Sequence, residues 1–205
     1  MPNWCFTNIT LNCKSNDVAK RVHDKIDQWT STNAIENGFG ENWLGNVLIN
    51  SGCRKGEEIN TTNCPRCRGD IVWLDVSENQ VNIQTETAWS PMMEMWREVC
   101  EKAFPEEDIE IIYTSEETGM WEFYTNDPYY RDKYIFSNGN HIEYEETEDG
   151  VREILLAHVP VGFRTSCFCM DVKTLLDIVR ERYLEEDEIL DATPYKFLSI
   201  EELGM

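Results

Sequence analysis

The sequence predicts an α+β protein, and three observations carry that prediction. Residues Val81-Asn82-Ile83-Gln84-Thr85-Glu86-Thr87 alternate apolar or β-branched with polar, the period of a strand that buries one face. Val18, Val22, Ile26 and Trp29 recur at steps of four, four and three, which is one face of a helix. Segments of the two kinds follow one another as strand, helix, strand, strand, helix, strand, with one irregular interruption at 30–69.

Residues 4–12 are rich in aromatic and β-branched types and read as the first strand. Ser15 or Asp17 caps the helix that follows. Residues 30–69, rich in Asn, Gly, Ser and Thr, hold three cysteines and a short apolar patch at 43–49. They read as a loop-rich insert with little regular structure, of a length that points to function or a metal. The strands at 71–76 and 81–88 are joined by a turn at 77–80. Ser90-Pro91 signals a helix start, with Ser as the cap and Pro where a missing N–H costs nothing. Met92, Met93, Trp96, Val99, Cys100 and Ala103 supply its buried face, and Pro105 closes it. Residues 109–113 form the next strand, which 120–124 continues or pairs with. This order is that of a ferredoxin-like β-α-β-β-α-β antiparallel sheet with both helices on one face, so 1–125 is expected to be one domain.

Residues 126–205 read as an acidic C-terminal extension made of a β-meander plus helix. Asn138-Gly139, between Tyr134-Ile135-Phe136 and 141–145, is a hairpin signal. Asp149-Gly150 then leads into a third strand over 151–158. Asp171 caps a helix burying Val172, Leu175, Leu176, Val179 and Tyr183. Ser199-Ile200-Glu201-Glu202 is a capping box for a last short turn.

The chain of 205 residues has 39 acidic and 18 basic residues, a net charge of −21. Residues 1–70 hold eight of each, so the whole excess falls in 71–205. A field of that sign repels nucleic acid and membrane surfaces and draws basic partners. Seven Trp, eight Tyr and eight Phe nevertheless supply a core, so the charge does not imply disorder. No apolar run reaches the roughly 18–20 residues of a bilayer span, and the first residues lack the basic and apolar regions of a secretory signal. The expected location is therefore the cytoplasm, with the eight cysteines as thiols or metal ligands.

Three stretches occur in a characteristic order: Met1-Pro2-Asn3-Trp4-Cys5 with Asn8, then Glu86-Thr87-Ala88-Trp89-Ser90-Pro91, then Glu116-Glu117-Thr118-Gly119 with Phe123-Tyr124. In them the chain resembles the phage- and plasmid-borne family that carries the Api-type ferredoxin-like domain. The resemblance covers residues 1–125 without the insert. It implies that fold and a mobile-element protein in a bacterial host's cytoplasm, and it brings no catalytic residues with it.

Cys64-Pro65-Arg66-Cys67-Arg68-Gly69 has the spacing of a zinc knuckle. Cys53 is the candidate third ligand, and the fourth would come from Cys5, Cys13, His141, His158 or the Cys167/Cys169 pair. The plain alternative is a tight turn with two reduced thiols. Cys100, Cys167 and Cys169 read as small buried hydrophobes. His23, His141 and His158 belong to different elements, and no HExxH, nucleophile-elbow or phosphate-loop motif is present, which points away from catalysis. Trp73, Trp89, Trp96 and Trp121 would suit a base-stacking platform. Phosphate binding needs Lys and Arg, so core packing is the better expectation for them.

The function that follows is non-enzymatic binding of a basic protein, one that normally holds nucleic acid. In a mobile element this would be mimicry that inhibits a host defence such as CRISPR or restriction. The carboxylates expected to face the partner are Glu106, Glu107, Asp108, Glu116, Glu117, Glu143, Glu145, Glu146, Glu148, Asp149, Glu185, Glu186, Asp187 and Glu188. Two rival readings are a structural or regulatory phage or plasmid module, acidic only for solubility, and a metal-dependent hydrolase built on the acidic clusters.

Overall fold

The computed structural model describes residues 3–35, 39–59, 61, 63–137, 143–184 and 190–203, without the side chains of 143–145. The chain divides into two units, one of Met1–Asp127 with Leu198–Met205 and one of Pro128–Phe197.

The first unit is mixed α+β and runs β1 (Trp4–Asn12), α1 (Asn16–Thr30), α2 (Leu44–Asn50), β2 (Gly69–Ser77), β3 (Gln80–Ala88), α3 (Met93–Ala103), β4 (Glu110–Glu117) and β5 (Glu122–Thr125). Its strands lie in the order β2-β3-β1-β4-β5, every neighbouring pair antiparallel. Alternation in β1 buries Cys5, Thr7, Ile9 and Leu11. Ile9 and Leu11, with Val81 and Ile83 of β3 and Tyr113 of β4, share one core with Val22 and Ile26 of α1 and Trp96 and Val99 of α3. Both helices therefore cover the same face of the sheet. Each fully buried large side chain there contributes about 1.5–3 kcal/mol.

Ser15 caps α1 as the sequence suggests, accepting from the Val18 N–H at 3.4 Å. The start of α3 differs from expectation. Trp89 has a left-handed backbone (φ 76°), and Thr87 Oγ1 donates to Ser90 O at 2.9 Å, so Ser90-Pro91 stay in a turn and the helix begins at Met93. The insert is also more regular than its composition predicts. Its apolar patch forms α2, whose Leu44, Val47 and Leu48 are completely buried in the core. The Asn46 side chain anchors the surrounding loop, accepting from Ala34 N at 3.0 Å and donating to Gly40 O at 2.8 Å. Asn42 O then accepts from Ile71 N (2.8 Å) and Trp43 bridges to Asp70, laying this part of the insert beside the start of β2.

In the second unit β6 (Lys133–Ser137) lies between β7 (Glu143–Thr147) and β8 (Asp191–Pro194), antiparallel to both. The helices α4 (Glu148–His158), α5 (Val161–Cys167) and α6 (Val172–Arg182) complete it. The strand expected over 151–158 is thus a helix, and the third strand of the sheet comes from 191–194 instead of a meander. The cause is local. Thr147 Oγ1 caps α4 by accepting from Gly150 N (3.0 Å), Arg152 pairs with Glu148 one turn away (2.9 Å), and Val151 and Leu155 align on the buried face. Asp149-Gly150 is the first turn of that helix and not a loop. The Asn138-Gly139 signal lies outside the described residues. α6 starts as expected, with Asp171 accepting from Thr174 N at 2.9 Å.

A closing turn, Ile200–Leu203, belongs to the first unit. It carries the expected capping box, with Ser199 N donating to Glu202 Oε2 (2.7 Å) and Glu202 N to Ser199 Oγ (3.3 Å). Among the described residues no helix is long and apolar enough to cross a membrane.

Candidate binding face

Even-numbered side chains of β1 project away from α1 and α3, because successive strand residues point to opposite faces. The strand registers extend that second face. Phe6 lies between Glu86 on β3 and Glu116 on β4, and Glu86 in turn opposes Asp70 on β2. The next rung is Trp73, Gln84, Asn8 and Thr114, and the one after it Asp75, Asn82, Thr10 and Ile112. A β-bulge at Val72 puts Trp73 opposite Gln84, so an odd-numbered residue joins the face. Trp4 completes the aromatic end, opposite Ala88.

Trp4, Phe6 and Trp73 are 44%, 48% and 45% exposed, and Trp89, beside Asn3 at the same end, is 52% exposed. The expectation of core packing therefore holds for Trp96, which is 1% exposed, and fails for Trp73 and Trp89. Trp89 holds this position at φ 76°, an outlier for a bulky residue. At the β5 end the face is closed. Phe123, opposite Glu116, is buried, and the Trp121 ring meets it edge-on at 5.6 Å. The far end is tied up by hydrogen bonds from Thr10 to Asn82 (3.2 Å), Gln80 to Asn12 (2.9 Å) and Asn12 to Glu110 (3.0 Å).

The strands of this face carry charge of one sign, and Arg68 stands just before β2 at its Trp4 end. None of the five strands contains a Lys or Arg. Residues 71–127 as a whole carry fourteen carboxylates against Arg97 and Lys102. Partial desolvation first, and the neighbouring Glu86 second, push the Asp70 carboxyl above its ordinary range.

The carboxylates expected from the sequence are placed differently. Glu116 alone of them stands on this face. Glu117 has the opposite parity and is 2% exposed, so it is an interior carboxyl, not a surface one. Burial raises it, a hydrogen bond from Asn3 offsets part of the rise, and Glu122 adds to it. Glu106, Glu107 and Asp108 occupy the turn before β4, where Arg21 pairs with Glu107 (2.5 Å) and Lys14 approaches Asp108 (4.0 Å). In the second unit Glu146 accepts from Thr147 N (2.8 Å), Glu148 pairs with Arg152, and Asp149 is exposed. Glu143 and Glu145 lie on β7 with side chains outside the description, and Glu185, Glu186, Asp187 and Glu188 lie outside the described residues. Asp70, Asp75 and Glu86, which the sequence reading did not single out, form the acidic part of the face.

Among the described residues no group of three or more His, Cys, Asp or Glu side chains gathers closely enough to hold a metal. Cys53 Sγ donates to Glu98 O at 3.9 Å. Burial and the neighbouring Cys64 push the Cys67 thiol up to about 11. Burial likewise raises Cys5, Cys13 and Cys53, and takes Cys100 to about 12. Such thiols stay protonated at neutral pH and are weak nucleophiles. Cys5, Ser115 and Thr7 form a buried hydrogen-bonded chain (2.9 and 2.8 Å) behind the sheet, which packs the polar centre of the interior.

No protein family, curated protein or solved structure matches the chain.

Proposed function

We propose that the protein is a non-enzymatic binding module whose first unit, a ferredoxin-like sheet, takes a basic protein segment on the face opposite its helices. The strand order β2-β3-β1-β4 with α1 and α3 on one side supports the ferredoxin-like assignment. The observation that carries the binding reading is the rung Asp70, Glu86, Phe6, Glu116, set between Trp4 and Trp73 on strands without a cation. Carboxylates give a basic segment its charge complement and on-rate, and exposed indoles stack on guanidinium groups. Nucleic acid itself is repelled by such a face. In the mobile-element setting that the sequence resembles, the partner is a bacterial host defence protein whose basic surface normally holds nucleic acid.

The test is binding of an arginine-rich peptide, and of protamine, to the wild type and to the Asp70→Asn/Glu86→Gln double variant across a salt series. The double variant should associate more slowly and show a flatter salt dependence. A control double variant in the second unit, Glu153→Gln/Asp177→Asn, should leave both unchanged. Equal losses in the two variants would mean that bulk charge alone acts, which is the solubility reading.

A further inference from the structure

At the Trp4 end of the face a pocket of about 520 Å³ opens between β1 and the insert. That volume falls within the range of built ligand sites. Its floor is Ala88, the smallest side chain on this face of β3, which opposes Trp4 and leaves a gap beside the indole. Trp43, only 5% exposed, backs the pocket from the core. Its ring meets Phe39 at 4.6 Å, and it lies over Gly45, where any Cβ would run into the indole. The ring is therefore held in place before any ligand arrives. Trp43 also forms a backbone bridge with Asp70, and both residues line the pocket with Trp4. Gly69, at φ 151°, brings this corner against Glu86 and Thr87 more closely than a residue with a Cβ would allow. No hydrogen bond or ion pair engages the side chain of Asp70 or of Arg68 among the described residues.

We infer that this pocket is an arginine site, in which a guanidinium group stacks on the exposed Trp4 indole and pairs with Asp70. The inference rests on the basic-partner reading above and names that partner's anchor. A guanidinium is planar, weakly hydrated and bidentate, so it stacks on indole faces and pairs with a carboxylate in one plane. A lysine ammonium gains the cation–π attraction but neither the stacking nor the bidentate pair. Arg68 stands at the rim with the same sign as the ligand, and it acts as a weak repulsive gate that favours an occupant carrying its own long aliphatic stem.

The experiment is calorimetric and fluorescence titration of the whole chain with N-acetyl-arginine amide, N-acetyl-lysine amide and AMP, and with an arginine-rich peptide. Arginine amide should bind at least about fivefold more tightly than lysine amide, which corresponds to about 1 kcal/mol. Asp70→Asn should weaken it about tenfold. Arg68→Gln should tighten it, and Ala88→Leu, which fills the floor, should abolish it without unfolding the protein. AMP binding that is lost in Arg68→Gln would overturn the inference in favour of an anionic aromatic ligand. No preference for arginine over lysine would also overturn it. A peptide that still binds through Glu86 and is indifferent to Ala88→Leu would remove the pocket and leave the binding face standing. Arginine amide binding without peptide binding would do the reverse.

Discussion

Replacing Glu86 with glutamine should stabilise the protein while weakening the proposed binding of a basic segment. Glu86 directly opposes Asp70 across the β2–β3 ladder, and its other neighbour in the rung, Phe6, offers no charge. Like charges directly opposite on adjacent strands are destabilising by about 0.2–1 kcal/mol. Removing one at neutral pH should raise the unfolding free energy by about that amount, with the denaturant slope unchanged. The pH dependence has a defined direction. Asp70 is raised in the folded chain by burial first and by Glu86 second. It therefore binds its proton more tightly when folded, and its ionisation costs stability above its folded pKa. That cost fades as the pH falls through the folded pKa towards the ordinary aspartate value. The gain from Glu86→Gln should accordingly be largest near neutrality and shrink in acid. Urea unfolding followed by tryptophan fluorescence at both pH values measures it. A variant less stable than the wild type at neutral pH would refute the claim that these carboxylates are held together against their own repulsion.

Glu98 bridges Arg54 of the insert (2.8 Å) and Lys102 (2.7 Å) at a nearly buried position, so Glu98→Ala should cost about 3 kcal/mol in urea unfolding and Glu98→Gln clearly less. Gly45→Ala, which helix propensity alone would favour by about 1 kcal/mol, should destabilise by about 1–3 kcal/mol because the new methyl displaces the Trp43 indole. Thr147→Ala removes the cap of α4 and should cost about 1 kcal/mol, seen as faster amide exchange in α4. Zinc on Cys64, Cys67 and Cys53 remains a proposal whose check is metal analysis after refolding with zinc. About one ion per chain, lost in Cys64→Ser, supports it, and a content near zero retires it.

The regular elements of the first unit were legible because their signals are local. Val18, Val22 and Ile26 repeat within a few residues, and Ser15 sits where a cap belongs. α2 was not legible. Leu44, Val47 and Leu48 have helical spacing, but seven residues are too few for that period to stand out inside a stretch whose Asn and Gly content suggests a loop. At α4 two local signals conflict. Asp149-Gly150 reads as a turn, while Val151 and Leu155 have helical spacing, and the Thr147 cap decides between them. The candidate binding face was hidden for a different reason. Asp70, Glu86, Phe6 and Glu116 become neighbours only through strand register, and Trp73 reaches the face only because of the bulge at Val72. Charge counting along the chain found the acidic region but chose its consecutive runs, such as 106–108, where Arg21 and Lys14 lie alongside.

The most direct test of the central claim is the set of indole N–H resonances of the seven tryptophans, followed while an arginine-rich peptide is titrated into the wild-type protein. The exposed indoles of Trp4, Trp73 and Trp89 should shift with a common saturation, the Trp96 signal should stay in place, and added salt should reverse the shifts. Unmoved signals from Trp4 and Trp73 while the peptide binds elsewhere would contradict the account.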